Sequence, residues 1–349
     1  MKKLLIIIAT AVLLCGCNDS RETKKENNVN KELITIGFSQ VGAESDWRLA
    51  ASESVQNAFT PENGFNLIFD NAQQKQENQI KAVREFIDQN VDYIMIDPIT
   101  EIGWDTTLEE AKEAAIPVII VDRRVDVKDE SLYTAWIGSD FEAEGERACA
   151  WLKAFLDSRG IKGRVNIVDI QGTINSSAQL GRTKALEAAA KRYYNWNIIG
   201  RDTGEFTKAK GREVMEKMLK TYGDAIDVVY CENDNEAFGA IEAIENTGRH
   251  VGEDIENGEI LLISFDATRA GLTLTLNKNI AVNVECNPDY GPKLVEMVNM
   301  MERGETIPHD QFIEEEIFSA LPEIKTINAG RTRLDVTLLN QQLIDGRSY

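Results

Sequence analysis

A cluster of side chains suited to holding a polyhydroxyl ligand follows the first apolar run after the N-terminal segment. In order, the cluster comprises Glu44, Ser45, Asp46, Trp47 and Arg48. An aromatic ring can cover the C–H face of such a ligand, while a carboxylate and a guanidinium bond its hydroxyl groups. A strand is predicted at residues 33–38 and a helix from residue 49, so the cluster falls at the carboxyl end of a strand. Ligands of open α/β sheets bind there, and the cluster therefore predicts one wall of a site for a small polyol.

Polar or aromatic side chains also follow later strands, in both halves of the chain. They are Asp97, Asp122 and Arg123 in the first half, and Thr173, Arg182, Phe206, Asn233 and Asp266 in the second. Any one of them could instead be a helix cap, a solvated charge or, for Phe206, a core residue. Together they predict the rest of the site, because charge-assisted bonds bracket hydroxyl groups and acid–base neighbours neutralise each other in a desolvated cleft.

The elements that would position these residues alternate between strand and helix. In the first half, strands are predicted at 33–38, 65–70, 91–96 and 117–121, with helices at 49–60, 76–89 and 105–115. In the second half, strands are predicted at 135–138, 164–170, 198–203, 226–231, 260–265 and 281–286, with helices at 142–159, 178–192, 208–221 and 235–247. A late helix at 288–303 and a late strand at 312–318 would return the chain between the halves. This repeated order predicts two α/β lobes with parallel sheets, a hinge and a cleft between them.

The N-terminus has the pattern of an export signal. Lys2 and Lys3 precede a short apolar run at residues 4–14, which is too short to span a bilayer. The following Leu-Cys-Gly-Cys stretch resembles a bacterial lipobox, which predicts a lipoprotein signal over residues 1–16 and lipidation of Cys17. An ordinary secretory signal cleaved nearby is the alternative. Residues 17–32 are polar and are predicted to form a flexible tether.

Composition excludes several classes of function. The net charge is −20, which argues against nucleic acid as a partner because phosphate binding requires a basic surface. Only two histidines occur, so a histidine-based metal site or catalytic triad is poorly supplied, and no metal or cofactor is expected. Cys149, Cys231 and Cys286 are widely spaced and are predicted to be buried free thiols, with one disulfide left open.

Long stretches of the chain resemble the ribose/galactose cluster of periplasmic binding proteins that serve ABC importers, and in particular its galactofuranose-binding members. The matching stretches are residues 37–48, 73–87, 97–104, 116–133, 170–173, 204–216, 233–234 and 264–266, together with Arg182. The resemblance implies two Rossmann-like lobes of the type I arrangement, with an N-terminal lobe of residues 33–138 plus 287–317 and a C-terminal lobe of 139–286 plus 318–349. It also implies that the residues named above bind a monosaccharide.

The resulting hypothesis is a monomeric, non-enzymatic receptor that is anchored by lipid to the periplasmic face of a membrane of the cell envelope. It would close on galactofuranose or a related furanose or hexose, and then present the closed form to the permease of an ABC importer. A receptor subunit that presents the closed form to a transmembrane sensor stays open as an alternative. A glycosidase using paired carboxylates is disfavoured because Arg or Asn lies near each acid. A sugar-responsive DNA repressor is disfavoured because a signal and a tether occupy the N-terminus.

Overall fold

The computed structural model describes residues 33–349, and residues 34–138 together with residues 310–312 build a six-stranded parallel sheet. The predicted signal, Cys17 and the tether lie outside the described residues. The strands of this sheet are β1 Ile34–Gln40, β2 Phe65–Asn71, β3 Tyr93–Ile96, β4 Val118–Val121, β5 Ala135–Gly138 and β11 Asp310–Phe312, and the intervening helices are α1 Asp46–Ala58, α2 Gln76–Asp88 and α3 Asp105–Glu113. Across the sheet the strands follow the order β11-β5-β4-β3-β1-β2.

The second half builds a seven-stranded sheet. Its strands are β6 Val165–Gln171, β7 Trp196–Thr203, β8 Val228–Cys231, β9 Leu261–Asp266, β10 Val282–Glu285, β12 Ile317–Ser319 and β15 Thr337–Leu338. They follow the order β15-β12-β10-β9-β8-β6-β7, and only the pairing of β10 with β12 is antiparallel within this sheet. The helices are α4 Phe141–Arg159, α5 Ser177–Arg192, α6 Lys208–Tyr222, α7 Asp234–Glu245 and α8 Arg269–Leu276.

The central strands are buried because helices cover both faces of each sheet. Every residue of β3, β4, β8, β9 and β10 is buried, as expected for parallel strands in the middle of an α/β sheet. In the first sheet, Ile94, Ile96 and Ile120 belong to the core on one face, whereas Met95 and Ile119 belong to the core on the other. The predicted α/β class with two parallel sheets is therefore confirmed.

The chain passes between the two sheets at three places within residues 33–349. It leaves the first sheet after β5, returns after β10 through α9 Gly291–Glu302, and leaves again between β11 and β12. The prediction of one late strand at 312–318 is wrong, because its two ends pair in different sheets and the residues between them make the third passage. The residue-level lobe boundaries stay a prediction.

Some local predictions also differ from the structure. Helix α1 begins three residues earlier than predicted because the Ser45 side chain caps it and accepts a hydrogen bond from the Arg48 N–H at 3.1 Å. The sequence analysis did not predict four features near the end of the chain. They are α8, β15, the hairpin of β13 Thr326–Ala329 with β14 Thr332–Asp335, and α10 Gln341–Asp345. The three cysteines in the described part are buried and carry no disulfide. Within residues 33–349, none of the helices combines the length and the apolar character that crossing a membrane requires.

Candidate ligand-binding site

A pocket lies between the carboxyl ends of the two sheets. One wall comes from the first sheet, the other comes from the second, and two residues belong to the segments that join them. The lining residues are, respectively, Glu44, Ser45, Trp47, Arg48, Asp122 and Arg123; Ala178, Arg182, Phe206, Asn233 and Asp266; and Phe141 and Cys286.

Arg48 is the centre of an ion-pair network on the first wall. Its Nε donates to Glu44 Oε1 at 2.9 Å, and its Nη1 and Nη2 each donate to Asp122 Oδ2 at 3.2 Å. Nη1 also donates to Asp97, which lies behind Arg48, away from the pocket. Burial alone would lower the pKa of Arg48, but the three carboxylates raise it well above its usual value. Because Arg48 stays charged and its guanidinium is 4.6 Å from the Trp47 ring centroid, the first wall is held rigid.

The backbone of Asp122 is held in an unusual conformation at the end of β4. Its φ is +61°, in the left-handed region that side-chain-bearing residues rarely adopt. A Cβ on Gly138 would lie 2.3 Å from the Asp122 carbonyl oxygen, so only glycine fits there. The Tyr290 hydroxyl donates to Asp122 Oδ1 at 3.1 Å. These contacts fix the direction in which the Asp122 carboxylate faces the pocket.

Arg123 follows Asp122 and reaches toward the opposite wall. Its Nη1 donates to the Ile99 carbonyl at 3.0 Å, and its guanidinium is 5.3 Å from the Phe206 ring centroid. Burial, followed by the neighbouring Arg48, lowers the pKa of Arg123, although Asp122 and Asp97 oppose this. An acceptor from a ligand would therefore satisfy a strongly desolvated cation.

Arg182 and Asp266 form the charged part of the second wall. Arg182 Nε donates to Glu144 Oε2 at 2.7 Å, and its Nη1 donates to the Glu232 carbonyl. Arg182 Nη2 lies 4.0 Å from Asp266 Oδ1, so Arg182 stabilises the charge of Asp266 only weakly. Burial accordingly raises the pKa of the Asp266 carboxyl well above its usual range, despite the opposing effect of Arg182. Asp266 is thus a carboxyl group that gains from a further hydrogen-bond partner.

Phe206 forms the apolar face of the second wall. It has a φ of +59°, and its N–H donates to Glu236 Oε1 at 2.9 Å. Asn233 Nδ2 donates to the Phe206 carbonyl at 3.2 Å, while Asn233 Oδ1 caps α7 by accepting from the Glu236 N–H at 2.8 Å. A Cβ on Gly172 would lie 1.9 Å from the Phe206 ring, so Gly172 makes the room that the ring occupies. Phe206 is therefore positioned by its neighbours on three sides.

Three lining side chains keep a buried polar atom without a hydrogen-bond partner in the part of the chain that the structure describes. These atoms are Glu44 Oε2, Arg123 Nε and Asp266 Oδ2. Leaving such atoms unpaired in a buried place costs about 1–3 kcal/mol each, and more for charged groups. The first two belong to one wall and the third to the other. A ligand with several hydroxyl groups could donate to both carboxylates and accept from the guanidinium, which would join the two walls.

The structure brings ten of the thirteen predicted site residues into the lining. The other three are placed elsewhere. Asp46 is exposed because α1 begins at this residue, and its N–H donates to Asn235 Oδ1 at 3.1 Å on the opposite side of the cleft. Thr173 is outside the lining because it lies in the loop before α5, where its carbonyl accepts from the Ser176 N–H at 3.1 Å. Asp97 is also outside the lining, because it lies behind Arg48 and accepts a hydrogen bond from it.

Three lining residues were absent from the predicted set. They are Phe141, Ala178 and Cys286. Phe141 and Ala178 lie at the starts of α4 and α5 and carry ordinary apolar side chains, so nothing in their type signals a site. Cys286 directly follows β10, where the chain passes between the sheets, and this position in the sequence could have identified it as a lining residue. Its buried thiol has a raised pKa, first because of desolvation, and it accordingly contributes to the lining as a small neutral group.

A buried group of Glu144, Cys286 and Glu315 lies next to the pocket, with potential metal-ligand atoms within 4.8 Å of one another. Glu144 is already bonded to Arg182, and Glu315 Oε2 accepts from Arg147 Nη1 at 3.3 Å. Ser139 Oγ also donates to Glu315. Because each carboxylate has its own cation, we assign no metal to this group.

Comparison with known proteins gives the class to which this fold and pocket belong. Residues 36–306 match the family described as periplasmic binding protein domain. The chain belongs to this family. Its members are binding proteins rather than enzymes, which agrees with the prediction from the sequence.

Particular relatives are similar over most of the chain. The galactofuranose-binding protein YtfQ of Escherichia coli is 43% identical over 277 residues, which cover 79% of this chain and 84% of YtfQ. A structure from Mycobacterium smegmatis in complex with β-D-fucofuranose is 39% identical, with a TM-score of 0.77, and covers 83% of this chain and 94% of the other. The binding protein of the arabinose ABC transporter from Shewanella sp. ANA-3, bound to α- and β-L-arabinofuranose, is 39% identical with a TM-score of 0.75 and covers 81% and 91%.

Proposed function

We propose that this protein is the solute-binding component of an ABC sugar importer and that it binds one monosaccharide in the furanose ring form. The observation that carries the proposal is the set of unpaired buried atoms on opposite walls within residues 33–349: Glu44 Oε2, Arg123 Nε and Asp266 Oδ2. A carboxylate ligand would meet two acidic groups, and an apolar ligand would leave all three atoms unpaired. A sugar supplies donors and acceptors together, and its C–H faces suit Trp47 and Phe206.

The preference for a furanose is supported by the relatives. The E. coli relative is named for galactofuranose, and the two solved structures contain fucofuranose and arabinofuranose. These three sugars share a five-membered ring and differ in the groups attached to it. Galactofuranose, or a furanose closely related to it, is the ligand that we propose.

We also propose how sugar binding is detected by the permease of the importer. The sugar contacts both walls, so it favours the closed arrangement of the lobes by the difference between its affinities for the closed and open forms. The permease would recognise this closed form. The predicted N-terminal signal and Cys17 support a lipid-anchored protein on the periplasmic face of a membrane.

Calorimetric titration tests the proposal on residues 33–349, which form one compact unit. The panel is galactose, fucose, arabinose, ribose and fructose, and the ring form of a bound ¹³C-labelled sugar is read from its C1 chemical shift by NMR. We expect micromolar or tighter binding of one sugar as a furanose. Binding only of a pyranose would refute the ring preference, and a folded protein that binds none of the panel would refute the sugar-binding proposal.

A matched pair of variants controls for the site. Asp122→Asn keeps the size of the side chain but removes the carboxylate that Arg48 and Tyr290 contact. Loss of a charged hydrogen-bond partner should weaken binding by about 1.5–3 kcal/mol, or roughly 10- to 150-fold. Asp157→Asn is the control because Asp157 is exposed and pairs with Lys153 on the same helix, away from the pocket. Equal affinities of the two variants would count against the assigned pocket.

A further inference from the structure

The turn that carries Asp266 holds two consecutive residues in an unfavourable backbone conformation. Asp266 has a φ of +95° and Ala267 a φ of +52°, although neither is glycine. Residues with a side chain keep such angles only where the surrounding structure holds them. The direction of the Asp266 carboxylate, whose Oδ2 atom lacks a partner within residues 33–349, therefore depends on the contacts of this turn.

Three side chains hold the turn through its backbone. Asn283 Oδ1 accepts from the Ala267 N–H at 2.9 Å, and Asp234 Oδ2 accepts from the Thr268 N–H at 2.9 Å. Both of these side chains are fully buried within the second sheet region. The third is Arg347, whose Nε donates to the Ala267 carbonyl at 3.0 Å. Arg347 is distant in sequence and comes from the last residues of the chain.

Arg347 also binds the segments through which the chain passes between the sheets. Its Nη2 donates to Glu285 Oε1 at 2.6 Å, at the end of β10. Glu285 Oε2 in turn accepts from the Glu316 N–H at 2.8 Å, just before β12. The Arg347 guanidinium lies 5.1 Å from the Phe318 ring centroid, and its side chain is only 15% exposed. One side chain thus links the Asp266 turn to two of the three passages.

We propose that Arg347 is a positioning residue for ligand binding: it does not line the pocket, but it holds the Asp266 turn in register with the segments that join the two lobes. The inference rests on the proposed function, because it assigns Arg347 a part in sugar affinity. Without Arg347, the Ala267 carbonyl loses its donor and Glu285 loses its cation. The turn then relaxes, and Asp266 no longer points at the sugar in the closed form.

A double-mutant cycle tests this role in the protein of residues 33–349. Arg347→Ala, Asp266→Asn and the double variant are titrated calorimetrically with the sugar of the panel that binds the unsubstituted protein most tightly. If Arg347 acts through Asp266, Arg347→Ala raises Kd about tenfold alone, but less than about twofold when Asp266 is already Asn. Tenfold corresponds to about 1.4 kcal/mol. A purely structural role would instead raise Kd by the same factor in both backgrounds.

The matched control is Arg159→Ala. Arg159 also binds two carboxylates, Glu253 at 2.6 Å and Glu323 at 2.9 Å, but it is absent from the pocket and from the Asp266 turn. We expect the sugar Kd of the Arg159→Ala variant to stay within twofold of the Kd of the unsubstituted protein. If Arg347→Ala does not fold, as judged by urea unfolding, Arg347→Met replaces it in the same cycle, because an unbranched chain preserves the packing on Phe318 without the donors.

The outcomes are distinguishable. An unchanged Kd in a folded Arg347 variant, or equal factors in both backgrounds, would overturn the role of Arg347 and leave the proposed function intact. Failure of the unsubstituted protein to bind any sugar of the panel would refute the proposed function, and the role of Arg347 in sugar affinity would fall with it.

Discussion

Replacing Gly172 by alanine should damage the pocket through a residue that does not line it. The added Cβ would lie 1.9, 2.1 and 2.4 Å from three atoms of the Phe206 ring, whereas ordinary contact begins at 3.4 Å. The ring or the strand end must therefore yield by the difference of 3.4 and 1.9 Å, about 1.5 Å. Gly172 does not have a left-handed φ, so alanine adds no backbone strain of its own.

The cost follows from overpacking a fixed ring. Phe206 cannot withdraw freely because its N–H is bound to Glu236 and its carbonyl to Asn233. Forcing a methyl group into such a place typically costs about 1–3 kcal/mol of stability. A ring displaced by more than an ångström would also lose the contact that we propose it makes with the sugar, so we expect the sugar Kd to rise by roughly tenfold or more, or about 1.4 kcal/mol.

Urea unfolding and calorimetric titration measure the two effects, and a second background isolates their cause. The Phe206→Ala variant lacks the ring, so adding Gly172→Ala to it should lower the free energy of unfolding by less than about 0.5 kcal/mol. Gly163→Ala is the matched control, since a Cβ at this position would meet no atom within 4 Å and its φ is also outside the left-handed region. An equal cost of Gly172→Ala with and without the Phe206 ring would refute the reasoning.

Three further predictions concern the pocket and the core behind it. Tyr290→Phe removes the donor to Asp122 Oδ1 and should cost about 1 kcal/mol in the free energy of sugar binding; an unchanged Kd in calorimetry would contradict it. Burial raises the pKa of Asp169 to about 7 although Arg201 opposes it, so the folded state holds a proton that the unfolded state lacks between about pH 4 and 7. Stability should therefore fall as pH rises through this window, and Asp169→Asn should make the slope shallower by up to about 1.4 kcal/mol per pH unit; parallel urea-derived curves would argue against it. Trp47→Phe should abolish most of the ligand-induced change in tryptophan fluorescence, because Trp47 alone of the tryptophans in residues 33–349 lines the pocket; a persisting change would place the signal elsewhere.

The strand-end residues of the site were predictable because apolar runs mark parallel strands reliably. Asp122, Arg123 and Asp266 follow such runs directly, and parallel strands bring their carboxyl ends to one edge. Phe206 was named with the residues that follow strands, although its type alone does not distinguish a pocket wall from a core residue. The local sequence pattern therefore predicted the edge of the sheet at which the pocket lies, and with it most of the residues that line the pocket.

The remaining features depend on contacts that local sequence does not encode. The exposed position of Asp46 depends on a single cap, Ser45, which decides where α1 begins and hence which way the next side chains point. The contact of Tyr290 with Asp122 joins residues 168 positions apart. The late strand was predicted as one because residues 312 and 317–318 are all apolar, although they pair in different sheets. Pairing partners, rather than propensities, set these features.

The three passages between the sheets also govern the time at which each sheet can be completed. The edge strand β11 of the first sheet follows β5 only after the whole of residues 139–309. At a synthesis rate of about 5–20 residues per second, the first sheet waits roughly 10–30 s for its last strand. A nascent chain that lacks this strand cannot complete its first sheet while it is being made. During that delay β5 is an edge strand, with unpaired backbone N–H and C=O groups on the side that β11 later covers.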